Sequence, residues 1–386
     1  MAPGSRVDEQ AVRERIGREH GAWLRDCWYV IAWDHEIPPA SSAELFTRRV
    51  LGEPILVWRR GEAAVGTEGT EGTEGSFVAM EDRCCHRSAP LSMGRREGDA
   101  VRCGYHGLKF DASGRCIEAP GLATVPPKAN VRTYPIVLHR KWLFVWMGDP
   151  ARADTALLPD NFSCDHPQWR HRPGYLHYET PYLLICDNLL DFSHLSYVHE
   201  KTLGGTPAIA QAVPRIEKVA GPNAAWAQTG IKVSRQVPNV PAPPFYERFR
   251  HFETRIDRWF VYEFLLPGTL LMHSGGRPVG DAPDDLSNAV QLHSCQTLTP
   301  ETEHSTHYFF QQSHRVGEAD DGVVASIYAS LEQAFAEDRD MISAQYVNLQ
   351  RCPDAPMLQL AMDSALIQFR RLLAERLQIE RSLQAA

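Results

Sequence analysis

The segment 84–110, CCHRSAPLSMGRREGDAVRCGYHGLKF, brings cysteine and histidine together twice, as Cys84-x-His86 and as Cys103-x-x-His106. A zinc finger spends both cysteines in one half and both histidines in the other. Here each half offers one sulfur and one nitrogen. Two such loops side by side converge their sulfurs on one metal and their imidazoles on a second. That arrangement suits a cluster of two chemically different irons, in which two histidines replace two cysteines on one iron and raise its potential. The Cys-x-His spacing selects Cys84 over its neighbour Cys85 as the ligand. Cys85 is expected to point into the domain as a small buried residue.

A second set of ligating residue types stands in CDNLLDFSHLSYVHEK, residues 186–201. It reads Asn188-x-x-Asp191-x-x-His194-x-x-x-x-His199. Asp191 and His194 are neighbours on one helical face. His199 turns away from that face on a straight helix and rejoins it if the helix ends or loosens near Tyr197. Two histidines and one carboxylate with open positions form the facial triad of non-haem Fe(II) oxygen enzymes. A carboxylate from later in the chain has two contenders. Asp338 lies between Phe335 and Ile342, and Asp363 between Leu360 and Ile367, each on an apolar helical stripe where a buried carboxylate needs a partner. Asp354, between prolines, reads as a turn or helix cap.

The elements that must position these residues fall into two halves. A charged helix is expected over 8–26. From Trp28 to Val145 come short β-like runs, CWYVIAW, PILVWRR, SFVAMED and YPIVLHRKWLFVWMG, divided by turn residues, as in a small antiparallel β domain. The repeat GTEGTEGTEG at 66–75 reads as a lengthened hairpin tip. The Pro- and Asp-rich stretch 148–169 reads as a connection. Beyond it a helix is expected near 181–199, then strands near 213–234, 247–266, 268–273, 289–298 and 305–315, then helices over 322–349 and 356–378. The second half is thus α+β, an antiparallel sheet with helices packed on it.

The strings HRSAPL and YHGLKFD after the two Cys/His pairs, together with the 188–199 motif, make the chain resemble the Rieske non-haem iron oxygenases. The spacing Asn-Leu-x-Asp-x-x-His, the block EDRCCHRSAPLS…GDAVRCGYHGLKFD and the final helices look most like the vanillate O-demethylase oxygenase branch. The resemblance implies an α+β chain with an N-terminal helix in 1–27 and an all-β Rieske [2Fe–2S] domain over 28–150. A catalytic domain of helix-grip type, an antiparallel sheet covered by helices, would fill 151–386. It implies Cys84, His86, Cys103 and His106 as cluster ligands, and His194 and His199 as ligands of a mononuclear Fe(II). Asp191 would bridge His194 to His106 of the partner subunit in a homotrimer. The family's third ligand follows a Pro-containing turn on a late helix. The run RCPDAPMLQLAMD resembles that placement, so Asp363 is preferred over Asp338. Neither position that carries an extra cysteine in respiratory Rieske proteins holds one here, so no disulfide across the loops is expected. A further loop over the cluster is expected at Pro120-Gly121.

The same resemblance implies the activity. Electrons arrive singly at the cluster and reach the mononuclear iron through His106 and Asp191, and O2 is the co-substrate. The product class, by demethylation, monohydroxylation or cis-dihydroxylation, stays open. No G-x-G-x-x-G follows a strand, so nicotinamide enters only through a separate NAD(P)H-dependent reductase, with or without a ferredoxin. A small aromatic substrate is expected against WFVYEFLLPGTLLMHSGG and THYFFQQSH, with His273, Ser274 and His307 as polar contacts. The rivals are a family member acting on a steroid, alkaloid or quaternary amine, and a Rieske electron carrier.

Composition excludes other classes. The 386 residues carry a net charge of -8 and are 43% hydrophobic and 23% charged, as in an ordinary globular protein. No long Lys/Arg run points to nucleic acid, and no run of about 18 apolar residues points to a membrane span. Nine scattered cysteines are an odd number, which argues against a disulfide framework and for a reducing, cytoplasmic compartment.

Overall fold

The computed structural model describes residues 23–61, 77–315 and 321–385. Most of the helix expected over 8–26, and the repeat at 66–75, lie outside the described residues; residues 23–26 are not helical. The chain divides into two compact units. The first is Arg25–Leu158 with Thr299–Thr302; the second holds Pro159–Leu298 and Glu303–Ala386.

Among the described residues, the first unit is built from eleven strands in three small sheets. β1 (Trp28–Trp33), β11 (Trp142–Trp146) and β10 (Ile136–His139) form one, and β2 (Phe46–Val50), β3 (Glu53–Arg59), β4 (Phe77–Glu81) and β9 (Thr133–Tyr134) the next. β5 (Arg95–Glu97), β6 (Ala100–Arg102), β7 (Lys109–Asp111) and β8 (Cys116–Glu118) form the third. β1 and β11 are buried at every residue, which is why WYVIAW and WLFVW read as unbroken apolar runs. The hairpin between β10 and β11 turns at Arg140 and Lys141, both with positive φ, so the run 134–148 is two strands and not one. The core that carries the Cys/His loops is Leu56, Trp58, Met80, Leu91, Val101 and Phe110, and Cys84 and Cys103 belong to it.

Among the described residues, the second unit is one antiparallel sheet of eight strands with helices on it. Its path runs β12 (Trp169–Arg170), β19 (Ser305–Arg315), β18 (Val290–Thr302), β17 (Thr269–Pro278), β16 (Ile256–Leu265), β15 (Trp226–Val240) and β14 (Arg215–Asn223). β13 (Gly174–Tyr178) also pairs with β19. The expected α+β architecture is the one observed.

The helices differ from expectation in ways that matter for the site. The stretch 181–199 is a helix only over Tyr182–Leu190. Asp191 ends it and caps a separate 3-10 turn, Phe192–Ser196, by accepting from the Ser193 backbone N–H at 2.9 Å. The long helix runs Asp321–Arg351 and the C-terminal one Ser364–Ala385, later than 356–378 because prolines at 353 and 356 keep that stretch out of helix. Both clasp the helix Tyr182–Leu190. The Tyr178 hydroxyl donates to the Phe335 carbonyl at 3.0 Å, and Phe335 packs edge-on to Phe310 at 4.6 Å, which seats the long helix on β19. The Arg370 Nε donates to Asp187 Oδ1 at 2.9 Å, which ties the C-terminal helix to the same place. No helix among the described residues is long and apolar enough to cross a membrane.

Candidate metal centres

The two Cys/His loops are built alike. The Cys84 N–H donates to the Ala89 carbonyl at 2.8 Å and the Cys103 N–H to the Leu108 carbonyl at 2.8 Å. In return the Ser88 N–H bonds the Cys84 carbonyl at 2.9 Å, and the Gly107 N–H bonds the Cys103 carbonyl at 3.1 Å. In each loop the fourth residue after the cysteine takes a left-handed conformation, Ser88 with φ 55° and Gly107 with φ +76°. A side chain at Gly107 would also press on Pro120, so the 120–121 turn does lie against the second loop.

This geometry buries both cysteines, each 2% exposed, and leaves His86 and His106 at the surface with ring centroids 4.6 Å apart. The donor set fits a [2Fe–2S] cluster of the mixed kind, sulfur inward and imidazole outward. Burial, with help from Cys103, pushes the free Cys84 thiol up to about 11, so thiolate formation depends on the metal that would neutralise it. Cys85 departs from expectation: it is exposed, because the loop that turns Cys84 inward points the next side chain out.

In the second unit, His194, His199 and Asp338 converge, with ligand atoms all within 4.8 Å of one another. Asp338 Oδ1 is 3.0 Å from His199 Nε2 and 3.5 Å from His194 Nε2. Metal–ligand bonds of about 2.1 Å at right angles place their ligand atoms about 3.0 Å apart, so the trio fits one face of an octahedral ion. The two-histidine part of the motif forms because the helix stops at Leu190 and the chain turns tightly to Tyr197.

The carboxylate is not the expected one. Asp363 closes the 3-10 turn Ala361–Asp363 just ahead of the C-terminal helix, its Oδ2 accepting from the Leu360 N–H at 2.7 Å. Its surroundings are exposed, whereas Asp338 is 5% exposed on the buried face of the long helix. The Pro-containing turn leads into a cap, not into the site.

Each triad member has a hydrogen bond that orients it. His194 Nδ1 meets the Asp191 backbone carbonyl at 2.5 Å, and Asn188 Nδ2 donates to Asp338 Oδ1 at 3.1 Å. His199 Nδ1 meets Glu337 Oε2 at 2.9 Å, and Thr202 donates to the same oxygen at 2.8 Å. These fix the Nε2 atoms as the metal-facing nitrogens. Burial lowers the His194 pKa below its ordinary value, which favours the neutral form that ligates. Burial also acts on His199, but Asp338 and then Glu337 outweigh it and raise that pKa. The Asp191 carboxylate accepts from Ser193 Oγ at 2.6 Å and faces the buried Arg235 at 3.7 Å; it is its carbonyl that holds His194. Glu337 and Arg235 were not singled out from the sequence.

A cavity opens on the triad, with His194, His199 and Asp338 all in its wall. Its walls are mainly apolar, with Phe192, Phe245, Phe260, Met272 and Leu292 among them. Ser274 lines it as expected. His273 does not: strand alternation turns it to the other face of β17, where it stacks on His293 with centroids 4.7 Å apart. His307 is also elsewhere, its Nδ1 2.8 Å from the Tyr175 hydroxyl.

A Cys2His2 cluster loop pair and a buried two-histidine, one-carboxylate triad beside an apolar cavity define an iron oxygenase with two centres. The Rieske [2Fe–2S] domain family matches residues 27–135 and the vanillate O-demethylase oxygenase C-terminal domain family matches residues 178–378. The chain belongs to the Rieske non-haem iron oxygenases of this vanillate O-demethylase type. It is 42% identical over 362 residues to the iron–sulfur subunit of the toluene-4-sulfonate monooxygenase system of Comamonas testosteroni, across 93% of this chain and 98% of that one. The vanillate O-demethylase oxygenase subunit of a Pseudomonas species is 32% identical over 317 residues, across 80% and 93%. The crystal structure of dicamba monooxygenase bound to dicamba superposes with a TM-score of 0.77 at 28% identity, covering 93% of this chain and 99% of that chain. The chain is therefore the oxygenase component of a multicomponent system that relies on a separate reductase.

Proposed function

We propose that this oxygenase component hydroxylates or O-demethylates a small carboxylated or methoxylated aromatic substrate held in the cavity beside His194, His199 and Asp338. Residues 28–150 carry electrons and residues 151–386 carry the reaction. The observation that supports this most is the opening of a mainly apolar, ring-lined cavity directly onto the triad. When bound, the [2Fe–2S] group supplies single electrons and the Fe(II) supplies activation of O2.

The residues then divide the work. His194, His199 and Asp338 hold the metal and leave adjoining positions free. Asn188 and Glu337 fix the directions of Asp338 and His199. Phe192 and Phe260 exclude water and offer ring faces to the substrate. Asp191 positions His194 through its carbonyl and links it to His106 of the partner subunit in a homotrimer.

Two exposed apolar groups support that assembly. Met93, Tyr105 and Leu122 are exposed on the segments that carry and flank the cluster loops, and Tyr197 and Met362 are exposed on the segments that carry the triad histidines and the start of the C-terminal helix, where Ser193 Oγ reaches Met362 Sδ at 3.5 Å. A ring of identical subunits covers both groups at once. The reductase is NAD(P)H-dependent and the compartment cytoplasmic.

The test is substrate-dependent O2 consumption by the holoprotein with an NADH-driven reductase and a panel of methoxy- and methyl-substituted aromatic acids. O2 uptake matched by product, and lost in Asp191→Asn while iron content is kept, is the expected result. Absence of uptake with every aromatic compound in fully loaded protein contradicts the reading.

A further inference from the structure

One residue of the cavity wall is out of character with the rest. Arg258 lies on β16 at a register position that faces inward, two residues before Phe260 and four before Tyr262. It is 3% exposed and lines the cavity. A guanidinium keeps its charge at any working pH, so a buried one needs compensation. Among the described residues no carboxylate pairs with it. One Nη donates to the Gly204 carbonyl at 2.9 Å, and the ring faces of Tyr246 and Phe260 each lie 5.1 Å from its central carbon. Its Nε–H is buried without a partner.

The position relative to the triad gives this cation a use. Phe260 lies beneath Arg258, Phe192 packs edge-on to Phe260 at 5.9 Å, and His194 packs edge-on to Phe192 at 6.4 Å. The rings thus run from the guanidinium to the metal-facing histidine. Among the described residues Asp338 is the only carboxylate on the wall, and a metal would neutralise it.

We propose that Arg258 is the receptor for an oxyanion, a carboxylate or a sulfonate, carried on the aromatic substrate. The substrate ring then lies along Phe260 and Phe192, and the substituent remote from the anion meets the triad. Arg258 therefore sets both substrate class and regiochemistry. This rests on the oxygenase reading of the same cavity. A planar fork suits either oxyanion because both accept paired N–H bonds. The same charge repels a quaternary ammonium substrate.

The experiment is anaerobic titration calorimetry on the holoprotein with toluene-4-sulfonate and 4-methoxybenzoate. Each is compared with a neutral counterpart, methyl 4-tolyl sulfone and methyl 4-methoxybenzoate. Wild type is expected to bind at least one anion roughly tenfold or more tightly than its neutral counterpart. Arg258→Gln is expected to lose that preference and keep the neutral affinity, with unchanged iron content and cluster spectrum. Arg258→Lys, which keeps charge without the fork, is expected to bind the anion less tightly than wild type, and it decides the matter if the glutamine variant does not fold. The sulfonate and carboxylate arms tell which oxyanion is preferred. Equal wild-type affinity for both anions and their neutral counterparts, or undiminished anion binding in a folded variant, overturns the proposal. Arg258-dependent binding without O2 consumption would leave the receptor standing and sink the oxygenase reading. Equal binding and oxidation of the anions by wild type and Arg258→Gln would do the reverse.

Discussion

His199 turns its two ring nitrogens to adjacent residues of one helix: Nε2 lies 3.0 Å from Asp338 Oδ1 and Nδ1 lies 2.9 Å from Glu337 Oε2. One turn of the long helix therefore supplies both the carboxylate of the candidate metal face and a carboxylate that fixes the tautomer. The histidine is 1% exposed, so its ring is shielded from bulk water.

The ligand assignment separates two aspartates. Asp338→Ala is expected to abolish Fe(II) binding at the mononuclear site and leave the cluster spectrum intact. Asp363→Ala is expected to keep the iron and lower stability by about 1 kcal/mol, the worth of a helix cap. Fe(II) titration and thermal denaturation of the two variants check this, and iron loss in the Asp363 variant alone would reverse the assignment.

Glu337 acts on the metal through His199. Glu337→Ala is expected to weaken Fe(II) affinity roughly 10- to 100-fold, the usual effect of removing a histidine's hydrogen-bond partner. Glu337→Gln retains an acceptor oxygen and is expected to lose less. If both variants bind Fe(II) like wild type, the contact is incidental.

The adjacent cysteines have opposite roles. Cys84 is buried and Cys85 exposed. Cys84→Ser is expected to lose the cluster, whereas Cys85→Ser keeps its full absorption. Iodoacetamide is expected to label Cys85 in the intact holoprotein. A bleached cluster in Cys85→Ser would shift the ligand register by one.

His293 makes the second unit acid-sensitive. Burial, and then the stacked His273, lower its pKa from 6.5 to about 4. The folded form therefore holds it neutral, and unfolding lets it take up a proton below about pH 6.5. Its contribution is fully present above that pH and is lost as pH falls through about 4. Melting curves between pH 7 and 4.5 are expected to fall less steeply for His293→Gln than for wild type. Parallel slopes would assign the acid sensitivity elsewhere.

The cluster loops were legible because each holds its ligands within a few residues, and local spacing is what a sequence displays. The sheet was legible from alternation, as in β16, where inward residues recur at every second position. The carboxylate that joins the two histidines was not, because Asp338 and Asp363 sit on similar apolar stripes and only packing distinguishes them. A hint did exist: Asp363 follows a proline-rich turn at the start of its helix, where an acidic residue caps. Likewise Asp191-Phe192-Ser193 carries the signature of a cap that interrupts a helix. The charge at Arg258, on the inward face of an otherwise apolar alternation, was visible in the sequence as an anomaly. Its partnerless burial was not, because that depends on what Gly204, Tyr246 and Phe260 bring from elsewhere.

The central claim is that one chain holds two distinct iron centres, and iron and sulfide analysis with an EPR spectrum of the reduced protein tests it most directly. Wild type is predicted to hold about three irons and two sulfides per chain, with a Rieske-type signal of mean g below the free-electron value. His199→Ala is predicted to fall to about two irons with that signal unchanged. About two irons in both proteins, even after added Fe(II), would leave the 191–199 motif and Asp338 without a metal and contradict the account.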